Sequence, residues 1–446
     1  MIEFFWVRKR EMKKIVYIAM STDILHEGHI KVINEGAKYG EVVIGLLSDK
    51  AISEYKRMPL LTFEERKTVF ENIKNVSKVV RQDFLDYTAI LRRIKPDYVV
   101  HGDDWKEGVQ QQTRAKVIET LKEWGGQLIE VPYTRNVSSS NIEAKARKLF
   151  NTPDRRRAAL KKMIASKPYV RVLEADNGLT GLIDELTFIK DPKTGFRKEF
   201  DAMWVSSLCD STFKGKPDIE LIDQTSRINT INEIMEVTTK PIILDGDTGG
   251  KVEHFVFNVK TLERIGVSAI IIEDKTGLKQ NSLFGTAVQQ IQEDPDVFSD
   301  KIRRGKLAQV TKDFMIIARC ESLIAGRCVE DALMRCRKYI AAGADGIMIH
   351  SKEKDGREIF DFMAKLRKEF PFVPIILVPT SYNQFTEEEL CEKGANVIIY
   401  ANHLVRSAFP AMKKTAESIL FHGRSKEASE EYCMSIKDII TLIPTE

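Results

Sequence analysis

Two histidines separated by two residues are the first group in the chain with an evident chemical use. His26 and His29 occur in the segment AMSTDILHEGHIKV, where an apolar run gives way to a helical pattern. Residues i and i+3 share one face of a helix, so both imidazoles would lie in its first turn. The amides and dipole at that end favour an anion, and two imidazoles there can hold a phosphate and stabilise charge on its oxygens. A pair of surface histidines that cap a turn is the alternative.

The second half of the chain carries charged residues directly after apolar runs. Asp245 and Asp247 occur in LDGDTGG, and Glu273 follows the next run. Carboxylate oxygens are the ligands that Mg²⁺ takes in proteins, so these residues predict a metal site. Further side chains after other runs can donate to carboxylate or phosphoryl oxygens, namely Arg319, His350 and Ser206. For any one of the carboxylates, an ion pair at the rim of the fold is the alternative.

Eight apolar runs that end in polar residues must position this second group. They are VRVLEAD, MWVSSLCD, PIILDGDT, AIIIEDKT, MIIARCES, GIMIHSK, PIILVPTS and VIIYANH. Enough chain separates successive runs for a crossover helix, and eight such units within residues 168–425 predict a (β/α)8 barrel of the TIM type. Active sites of this barrel lie at the carboxyl ends of its strands, where the charged residues fall.

The first half has a different pattern, which must position the histidines. Its five apolar runs are KIVYIAM, EVVIGLLSD, SKVVRQ, DYVVHGDD and GQLIEVPY, again separated by helical patterns. Continuous apolar runs are typical of parallel strands that are buried on both faces. The pattern predicts a Rossmann-like, doubly wound sheet of nucleotide-binding size, so the whole chain is of the α/β class.

Composition excludes several classes of protein. The 446 residues are 43% hydrophobic and 30% charged, which is a globular balance that suits two large domains. A net charge of +4 is too small to indicate nucleic-acid binding, and no apolar stretch is long enough to span a membrane. Six cysteines without a CxxC pair indicate reduced thiols, so we expect a cytoplasmic protein.

The same patterns predict where the domains begin and end. We expect an N-terminal extension at 1–12, a nucleotide-binding domain at 13–144, the barrel at 168–425 and a C-terminal tail at 426–446. Residues 145–167 hold nine basic residues and one acidic residue, and they read as a linker helix with a solvated surface.

The motifs around the histidines resemble the cytidylyltransferase family typified by glycerol-3-phosphate cytidylyltransferase, across roughly residues 13–145. In that family TFDxxHxGH precedes a loop lysine, an ERxxxV arginine, GDDW and RTxGISTT. The resemblance implies that Asp23, His26 and His29 form the phosphate-binding and catalytic segment. It implies further nucleotide or acceptor contacts from Lys56, Arg66, Asp103, Ser138, Ser139 and Ser140.

The chain departs from that family at three places. Tyr133 stands for the arginine of RTxGISTT and Asn136 for its glycine, while STD replaces TFD. Arg135 is a candidate substitute for the lost charge. These departures concern the acceptor more than the nucleotidyl chemistry.

The segment EDKTGLKQNSL, residues 273–283, resembles the EDKxxPKxNS signature of the phosphoenolpyruvate mutase family in the isocitrate lyase superfamily. The motifs WVSSLCDSTFKGKPD, LDGDTG, ARCES, MIHSK, VPTSY and YANH extend the match over roughly residues 168–425. The resemblance implies a substrate pocket of Trp204, Ser206, Leu208, Lys279 and Ser282. It implies catalytic roles for Asp218, Asn281, Arg319 and His350, and Mg²⁺ binding by Asp245 with Asp247 and Glu273. Leu278 stands at the position of the family's proline.

This resemblance implies conversion of phosphoenolpyruvate into 3-phosphonopyruvate behind a mobile lid that excludes water. A phosphonopyruvate hydrolase is the alternative, and Asn281 with Ser282 favours the mutase. Carbon–carbon cleavage is disfavoured because the chain lacks the KKCGH-type loop of the lyases.

The order of the two domains resembles the bifunctional cytidylyltransferase/mutase of fosfomycin biosynthesis. It implies CTP and Mg²⁺ at the first site, with 2-hydroxyethylphosphonate as acceptor and pyrophosphate as product. The alternative acceptor is 2-aminoethylphosphonate, and a domain retained only as a metabolite sensor is a further alternative. The resemblance also implies a homodimer or homotetramer formed through the barrel, and a separate phosphonopyruvate decarboxylase as pathway neighbour.

Overall fold

The computed structural model describes residues 13–106, 110–132 and 146–443, with only the backbone of Asp104. The chain divides into two compact units. The first draws on Met1–Arg155, Lys162–Pro168 and Phe188–Glu199, and the second comprises Arg156–Lys161, Tyr169–Thr187 and the chain from Phe200 onward.

The first unit contains a five-stranded parallel sheet. Its strands are β1 (Ile15–Met20), β2 (Glu41–Leu47), β3 (Val76–Gln82), β4 (Tyr98–Gly102) and β5 (Gln127–Val131), in the order β3-β2-β1-β4-β5. Its helices are α1 (Glu27–Gly36), α2 (Asp49–Ser53), α3 (Phe63–Glu71), α4 (Thr88–Ile94) and α5 (Gln111–Lys122). The predicted doubly wound sheet is confirmed.

Both faces of this sheet are buried, which explains the continuous apolar runs. In β1, Tyr17 and Ala19 belong to one apolar cluster, whereas Val16 and Ile18 belong to another on the opposite face. Successive side chains of a strand point to opposite faces, so helices must cover the sheet on both sides. The carboxyl end of β1, where the histidine segment begins, is thereby held by packing on two sides.

The second unit contains the predicted barrel. Eight strands close in the order β10-β11-β12-β13-β14-β15-β6-β9, and every neighbouring pair is parallel. They are β6 (Val170–Glu174), β9 (Ala202–Val205), β10 (Ile242–Asp245), β11 (Ala269–Glu273), β12 (Met315–Cys320), β13 (Gly346–Ile349), β14 (Ile375–Leu377) and β15 (Val397–Tyr400). Each strand coincides with one of the eight apolar runs. An antiparallel pair, β7 (Phe188–Lys190) and β8 (Arg197–Glu199), was not expected from the sequence and belongs to the first unit.

One helix precedes the barrel strands in the chain, and the others connect the strands or follow the last one. They are α6 (Pro153–Ser166), α7 (Gly178–Leu186), α8 (Ser207–Phe213), α9 (Gln224–Val237), α10 (Val252–Ile265), α11 (Pro295–Ala308), α12 (Val329–Ala341), α13 (Arg357–Glu369), α14 (Glu387–Glu392), α15 (His403–His422), α16 (Lys426–Glu431) and α17 (Ile436–Thr441). No helix within the described ranges is both long and apolar enough to cross a membrane.

The basic segment before the barrel is a helix, α6, but its surface is not uniformly solvated as expected. Arg156 and Arg157 are buried. Arg156 donates to the carbonyl of Thr238 at 3.0 Å, and Arg157 donates to that of Glu263 at 2.7 Å. These carbonyls lie at the carboxyl-terminal ends of α9 and α10, where backbone oxygens lack helical partners and attract cations. The two arginines therefore cap helices of the barrel.

Candidate active sites

A cavity of about 230 Å³ opens at the carboxyl end of β1 in the first unit. The side chains around it that can contact an anion are His26, His29, Lys31, Lys56 and His101. The amino-terminal end of α1 also faces this cavity, because Gly28 lines it. Cationic side chains and a helix amino terminus together suit a phosphate group.

The two histidines lie against each other at the start of α1, with ring centroids 3.9 Å apart. His26 is the N-cap residue and its Nδ1 accepts from the amide of Gly28 at 3.1 Å. Nδ1 of His29 accepts from the amide of His26 at 3.3 Å. A neutral imidazole that accepts through Nδ1 carries its proton on Nε2. The backbone of this turn therefore orients both rings as Nε2 donors.

Burial lowers the pKa of His29 to about 4, and the neighbouring charges of His26 and Lys56 act in the same direction. Burial also lowers the pKa of His26. Both rings are consequently neutral at physiological pH before an anion binds. A bound phosphate would oppose this shift, because a negative charge nearby favours the protonated imidazole.

Two other residues that were predicted to contact the nucleotide, Asp23 and Arg66, form hydrogen bonds within the protein. Asp23 is buried and accepts from the amides of Leu60 at 2.6 Å and Leu61 at 2.8 Å, which anchors the loop that follows Lys56. Arg66 is only 1% exposed and donates to Asp49 at 2.6 Å. Arg66 lines a separate apolar cavity rather than the histidine cavity. A nucleotide contact by Arg66 stays a prediction.

The remaining predicted residues of this domain are placed only in part. Asp103 begins a short 3-10 helix, Asp103–Lys106, after β4. Ser138, Ser139 and Ser140 lie outside the described residues, as do Tyr133, Arg135 and Asn136.

His101 lines this cavity but was not predicted as a site residue from the sequence. Its ring stacks on Trp105 at 3.8 Å with an interplanar angle of 8°. Trp105 is buried, and its Nε1 donates to Glu130 at 2.9 Å. The motif HGDDW contains both aromatic residues, so their spacing was the signal that could have identified this wall of the cavity.

A second, smaller cavity of about 70 Å³ lies at the carboxyl ends of the barrel strands. Ten of the residues predicted for this site line it: Trp204, Ser206, Leu208, Asp218, Asp245, Lys279, Asn281, Ser282, Arg319 and His350. The other two, Asp247 and Glu273, contact residues of that lining. Asp247 forms an ion pair with Lys279, and Glu273 lies 3.3 Å from Arg319. The fold therefore gathers these side chains, from the ends of five strands and the segments that follow them, into one charged site.

Asp245 is held as an ionised carboxylate. Burial alone would raise its pKa, but the charges of Lys279, Arg319 and Arg227 outweigh burial and lower the pKa to about 2. One oxygen accepts from the amide of Ser207 at 3.2 Å and from its hydroxyl at 2.9 Å. These two bonds orient the carboxylate toward the pocket.

The surroundings of Glu273 indicate that the three carboxylates Asp245, Asp247 and Glu273 can bind a cation. Both of its side-chain oxygens are buried and lack a hydrogen-bond partner among the described residues. Burial raises the pKa of Glu273 to about 7, although Arg319 and Lys275 lower it in part. A carboxylate in this state gains from a cation, and Asp245, Asp247 and Glu273 offer the hard oxygen ligands that Mg²⁺ prefers.

Two loops meet over the pocket at Asp218. The loop after β11 brings Nζ of Lys279 within 2.8 Å of Asp218 Oδ1 and 2.7 Å of the Ser207 hydroxyl. Asn281 Nδ2 donates to Asp218 Oδ2 at 2.6 Å. The side chains of Asp218 and Lys279 are both buried by this contact. We call the contacts of Asp218 with Lys279 and Asn281 the latch.

Glu321, which was not predicted as a site residue, contacts both Arg319 and His350. Glu321 accepts from Arg319 Nε at 2.6 Å and lies 3.4 Å from Nδ1 of His350. Arg319 Nη2 donates to Ser282 at 2.6 Å. Nε2 of His350 has no hydrogen-bond partner in the described part of the chain. Burial, with the charge of Arg319, lowers the pKa of His350 to about 3, so the ring is neutral.

Ser207 and Arg227 are two further residues of the site that were not predicted from the sequence. Arg227 donates to Asp247 at 2.6 Å from α9, and Ser207 bridges Asp245 and Lys279. Ser207 stands next to two predicted residues, Ser206 and Leu208, which is a usable signal. Arg227 belongs to no motif, and only the packing of α9 brings it to the site.

Comparison with known proteins places both units in families. Residues 178–420 match the family model described as phosphoenolpyruvate phosphomutase, and residues 21–145 match the cytidylyltransferase-like model. Over 300 residues the chain is 34% identical to the phosphoenolpyruvate phosphomutase of Tetrahymena pyriformis, covering 67% of this chain and 95% of that protein. It is also 34% identical to the phosphonopyruvate hydrolase of Variovorax sp. over 246 residues, covering 54% of this chain and 83% of that protein.

Solved structures agree with these matches. The crystal structure of phosphoenolpyruvate phosphomutase from Streptomyces platensis subsp. rosaceus is 31% identical with a TM-score of 0.57, covering 64% of this chain and 94% of that one. A phosphonopyruvate hydrolase in complex with oxalate and Mg²⁺ is 30% identical with a TM-score of 0.54, covering 65% and 94%. The chain therefore belongs to the phosphoenolpyruvate phosphomutase family and carries an N-terminal cytidylyltransferase-like domain.

Proposed function

We propose that the barrel isomerises phosphoenolpyruvate to 3-phosphonopyruvate, moving phosphorus from oxygen to carbon within one bound molecule. The observation that carries this proposal is a pocket of about 70 Å³ in which cationic and neutral donors face a buried carboxylate group. So small a space suits a three-carbon substrate with a carboxylate and a phosphoryl group. The product is an α-keto acid that carries a phosphonate on carbon 3, and a decarboxylase is suited to consume it.

Each group in the pocket has a place in this reaction. Arg319 would hold the anionic oxygens of the substrate, His350 would join it once the bound anion favours protonation of the ring, and Trp204 and Leu208 would form the apolar wall. Asp245, Asp247 and Glu273 would bind Mg²⁺. The metal, when bound, stabilises negative charge that develops on a substrate oxygen as a Lewis acid does. The latch would exclude water, which competes for the phosphoryl group in transit.

Asn281 is the residue that we expect to separate the mutase from a phosphonopyruvate hydrolase. Its amide donates to Asp218 and lines the pocket, so it can contact the migrating phosphoryl group while it closes the latch. Asn281→Ala should lower the conversion of phosphonopyruvate to phosphoenolpyruvate by about 10²-fold. It should also release inorganic phosphate as a larger share of the products, as measured by phosphorus NMR.

The matched control is Asn229→Ala, because Asn229 is exposed on α9. That variant should keep the wild-type rate and product ratio. If the wild-type protein itself yields only pyruvate and phosphate from phosphonopyruvate, the barrel is a hydrolase and the proposal is wrong.

We propose that the N-terminal domain transfers CMP from CTP to 2-hydroxyethylphosphonate and releases pyrophosphate. The proposal is supported by the cavity of His26, His29 and Lys56 at the start of α1. A phosphonate oxygen would attack the α-phosphate while the two Nε2 donors stabilise the charge on its oxygens. Asp23 is the one carboxylate among the described lining residues, and backbone amides occupy it. Mg²⁺ would therefore arrive with the triphosphate as part of the substrate.

Phosphorus NMR tests the acceptor directly. The purified chain is mixed with Mg²⁺ and CTP and, in separate tubes, with 2-hydroxyethylphosphonate, 2-aminoethylphosphonate or glycerol 3-phosphate. A new pair of coupled resonances with the hydroxy compound supports the proposal. The same pair with the amino compound alone would assign the enzyme to the alternative acceptor. Absence of product in all three tubes, from protein that still interconverts the barrel substrates, contradicts CMP transfer to these acceptors.

We further propose that the barrel assembles with a second copy, as a dimer or tetramer in the cytoplasm. α15 exposes large apolar side chains, including Leu420 at 83% and Phe421 at 86%. Exposed apolar area of this kind is typical of protein–protein contacts. Sedimentation velocity should give a species of at least twice the mass of one chain, and Leu420→Asp with Phe421→Asp should shift it toward the monomer. A wild-type monomer at micromolar concentration contradicts the proposal.

A further inference from the structure

A second group of buried acidic residues lies in the barrel, apart from the residues assigned above. Glu174 ends β6, Asp176 follows it, and Cys209 lies on α8. One ligand atom from each, two carboxylate oxygens and the sulfur, lie within 4.8 Å of one another. All three side chains are buried, and Asp176 is 2% exposed.

The carboxylates of this group have few hydrogen-bond partners, although backbone amides near them, including that of Ser206, lower their pKa values in part. Glu174 Oε1 accepts from the amide of Val405 at the start of α15, at 2.9 Å. Glu174 Oε2 and both oxygens of Asp176 are buried without a hydrogen-bond partner among the described residues. Burying an ionised carboxylate without a partner strongly destabilises the folded state. The group therefore requires either bound protons or a bound cation.

The surrounding side chains do not supply enough positive charge. A third carboxylate, Asp210, is buried nearby and forms an ion pair with Lys214. The other cation that acts on the group is Arg406, and its charge lowers the pKa of Glu174 only in part. Burial raises the pKa of Asp176 well above its usual range, and the charges of Glu174 and Asp210 raise it further. Burial likewise raises the pKa of Glu174 to about 7.

We propose that Glu174, Asp176 and Cys209 form a Zn²⁺ site, distinct from the Mg²⁺ site of the reaction. Sulfur together with carboxylate oxygens is a donor set for zinc and not for Mg²⁺, which takes oxygen ligands. In a tetrahedral zinc site with bonds of about 2.0–2.3 Å, two ligand atoms lie about 3.3–3.8 Å apart, so side-chain rotations that move these atoms by about 1 Å would bring all three to one ion. The thiol of Cys209, which donates to the carbonyl of Ala401 at 3.2 Å, would lose its proton to solvent on binding.

The position of the group indicates what the ion would do. β6 pairs with β15 on one side and with β9 on the other, so Glu174 lies where the first strand of the barrel joins the last. Cys209 follows Ser207, which orients Asp245, in the same helix. A metal at this point would tie β6, α8 and the start of α15 together and support the pocket from beneath.

Cobalt substitution tests the proposal, because a cysteine thiolate bound to Co²⁺ gives a near-ultraviolet charge-transfer band. The full chain carries Cys328→Ser and Cys433→Ser to remove the two exposed thiols. Metal-depleted protein is titrated with Co²⁺ in saturating Mg²⁺. We expect the band to saturate at one equivalent and to disappear on addition of one equivalent of Zn²⁺.

Four further substitutions on that background distinguish the ligands from other residues. Cys209→Ser should abolish the band, and Asp176→Asn should weaken Co²⁺ binding by at least about 10-fold. Cys320→Ser is the matched control, since Cys320 is equally buried in the barrel. Asp245→Ala should also keep the band, which separates this site from that of the proposed reaction. Circular dichroism establishes that each variant is folded.

The proposal is overturned if folded background protein shows no band, or if the band survives in Cys209→Ser. If a variant does not fold, the background protein itself is measured instead. There, one equivalent of Zn²⁺ should raise the thermal unfolding midpoint in saturating Mg²⁺. No rise would mean that the carboxyl groups are neutralised by protons, and the zinc site would be rejected.

Discussion

Replacing Asp245 by alanine is expected to lower the interconversion of phosphoenolpyruvate and phosphonopyruvate by about 10³-fold or more, and to leave CMP transfer unchanged. Asp245 is the carboxylate whose pKa neighbouring cations hold at about 2, so it is ionised under all working conditions. Removing it deprives Mg²⁺ of a charged ligand and Lys279 and Arg319 of a counter-charge. A loss of several kcal/mol of transition-state stabilisation corresponds to that fold-change.

Phosphorus NMR on one sample reports both activities of this variant. Asp300→Ala is the control, because Asp300 is an exposed carboxylate of the same unit and should affect neither activity. Loss of both activities from folded Asp245→Ala protein would contradict the model of two separate sites. An unchanged mutase rate would show instead that the reaction does not depend on this carboxylate.

Replacing His29 by alanine is expected to produce the opposite pattern, with CMP transfer lowered by about 10³-fold and the mutase rate unchanged. His29 serves twice, because its Nδ1 accepts from the amide of His26 and its Nε2 donates into the cavity. The alanine removes a donor aimed at a phosphate and also frees the turn that orients His26. Loss of one such donor costs on the order of 10²–10³-fold in rate.

His29→Asn separates these two effects. The asparagine oxygen can accept from the amide of His26, so the turn is kept, whereas the ring proton on Nε2 is lost. We expect this variant to be nearly as slow as His29→Ala, while His254→Ala, an exposed histidine on α10, should be unaffected. Rates near wild type in His29→Asn would mean that His29 only caps the turn. This is the alternative that the sequence analysis left open.

The latch joins two loops that lie far apart in the sequence, one with Asp218 and the other with Lys279 and Asn281. Asp218 lies 61 residues before Lys279 along the chain, yet it accepts from Lys279 and from Asn281. We expect that neither loop closes over the pocket without the other, because each supplies half of these ion pairs and hydrogen bonds. Access of substrate and exclusion of water would then be coupled.

The strands, and most of the barrel site, could be predicted because their signals are local. An apolar run buried on both faces is visible in a few residues, and a parallel strand ends at one known edge of its sheet. The positions of the runs therefore explain why Asp245, Arg319 and His350 line one pocket and why Glu273 lies beside Arg319. The histidine pair follows equally from helix periodicity, and the structure places the two rings 3.9 Å apart.

Contacts between distant segments could not be predicted in this way, since they depend on how helices pack around the strands. Arg227 donates to Asp247 from α9, and no local pattern in the sequence indicates this contact. Arg156 and Arg157 look like solvent-exposed cations, but they are buried because two helix ends need donors. The group of Glu174, Asp176 and Cys209 forms only when the barrel closes, because Cys209 contacts a carbonyl 192 residues away. Local patterns thus select the elements and the edge at which chemistry occurs, whereas closure of the fold selects the partners of each buried charge.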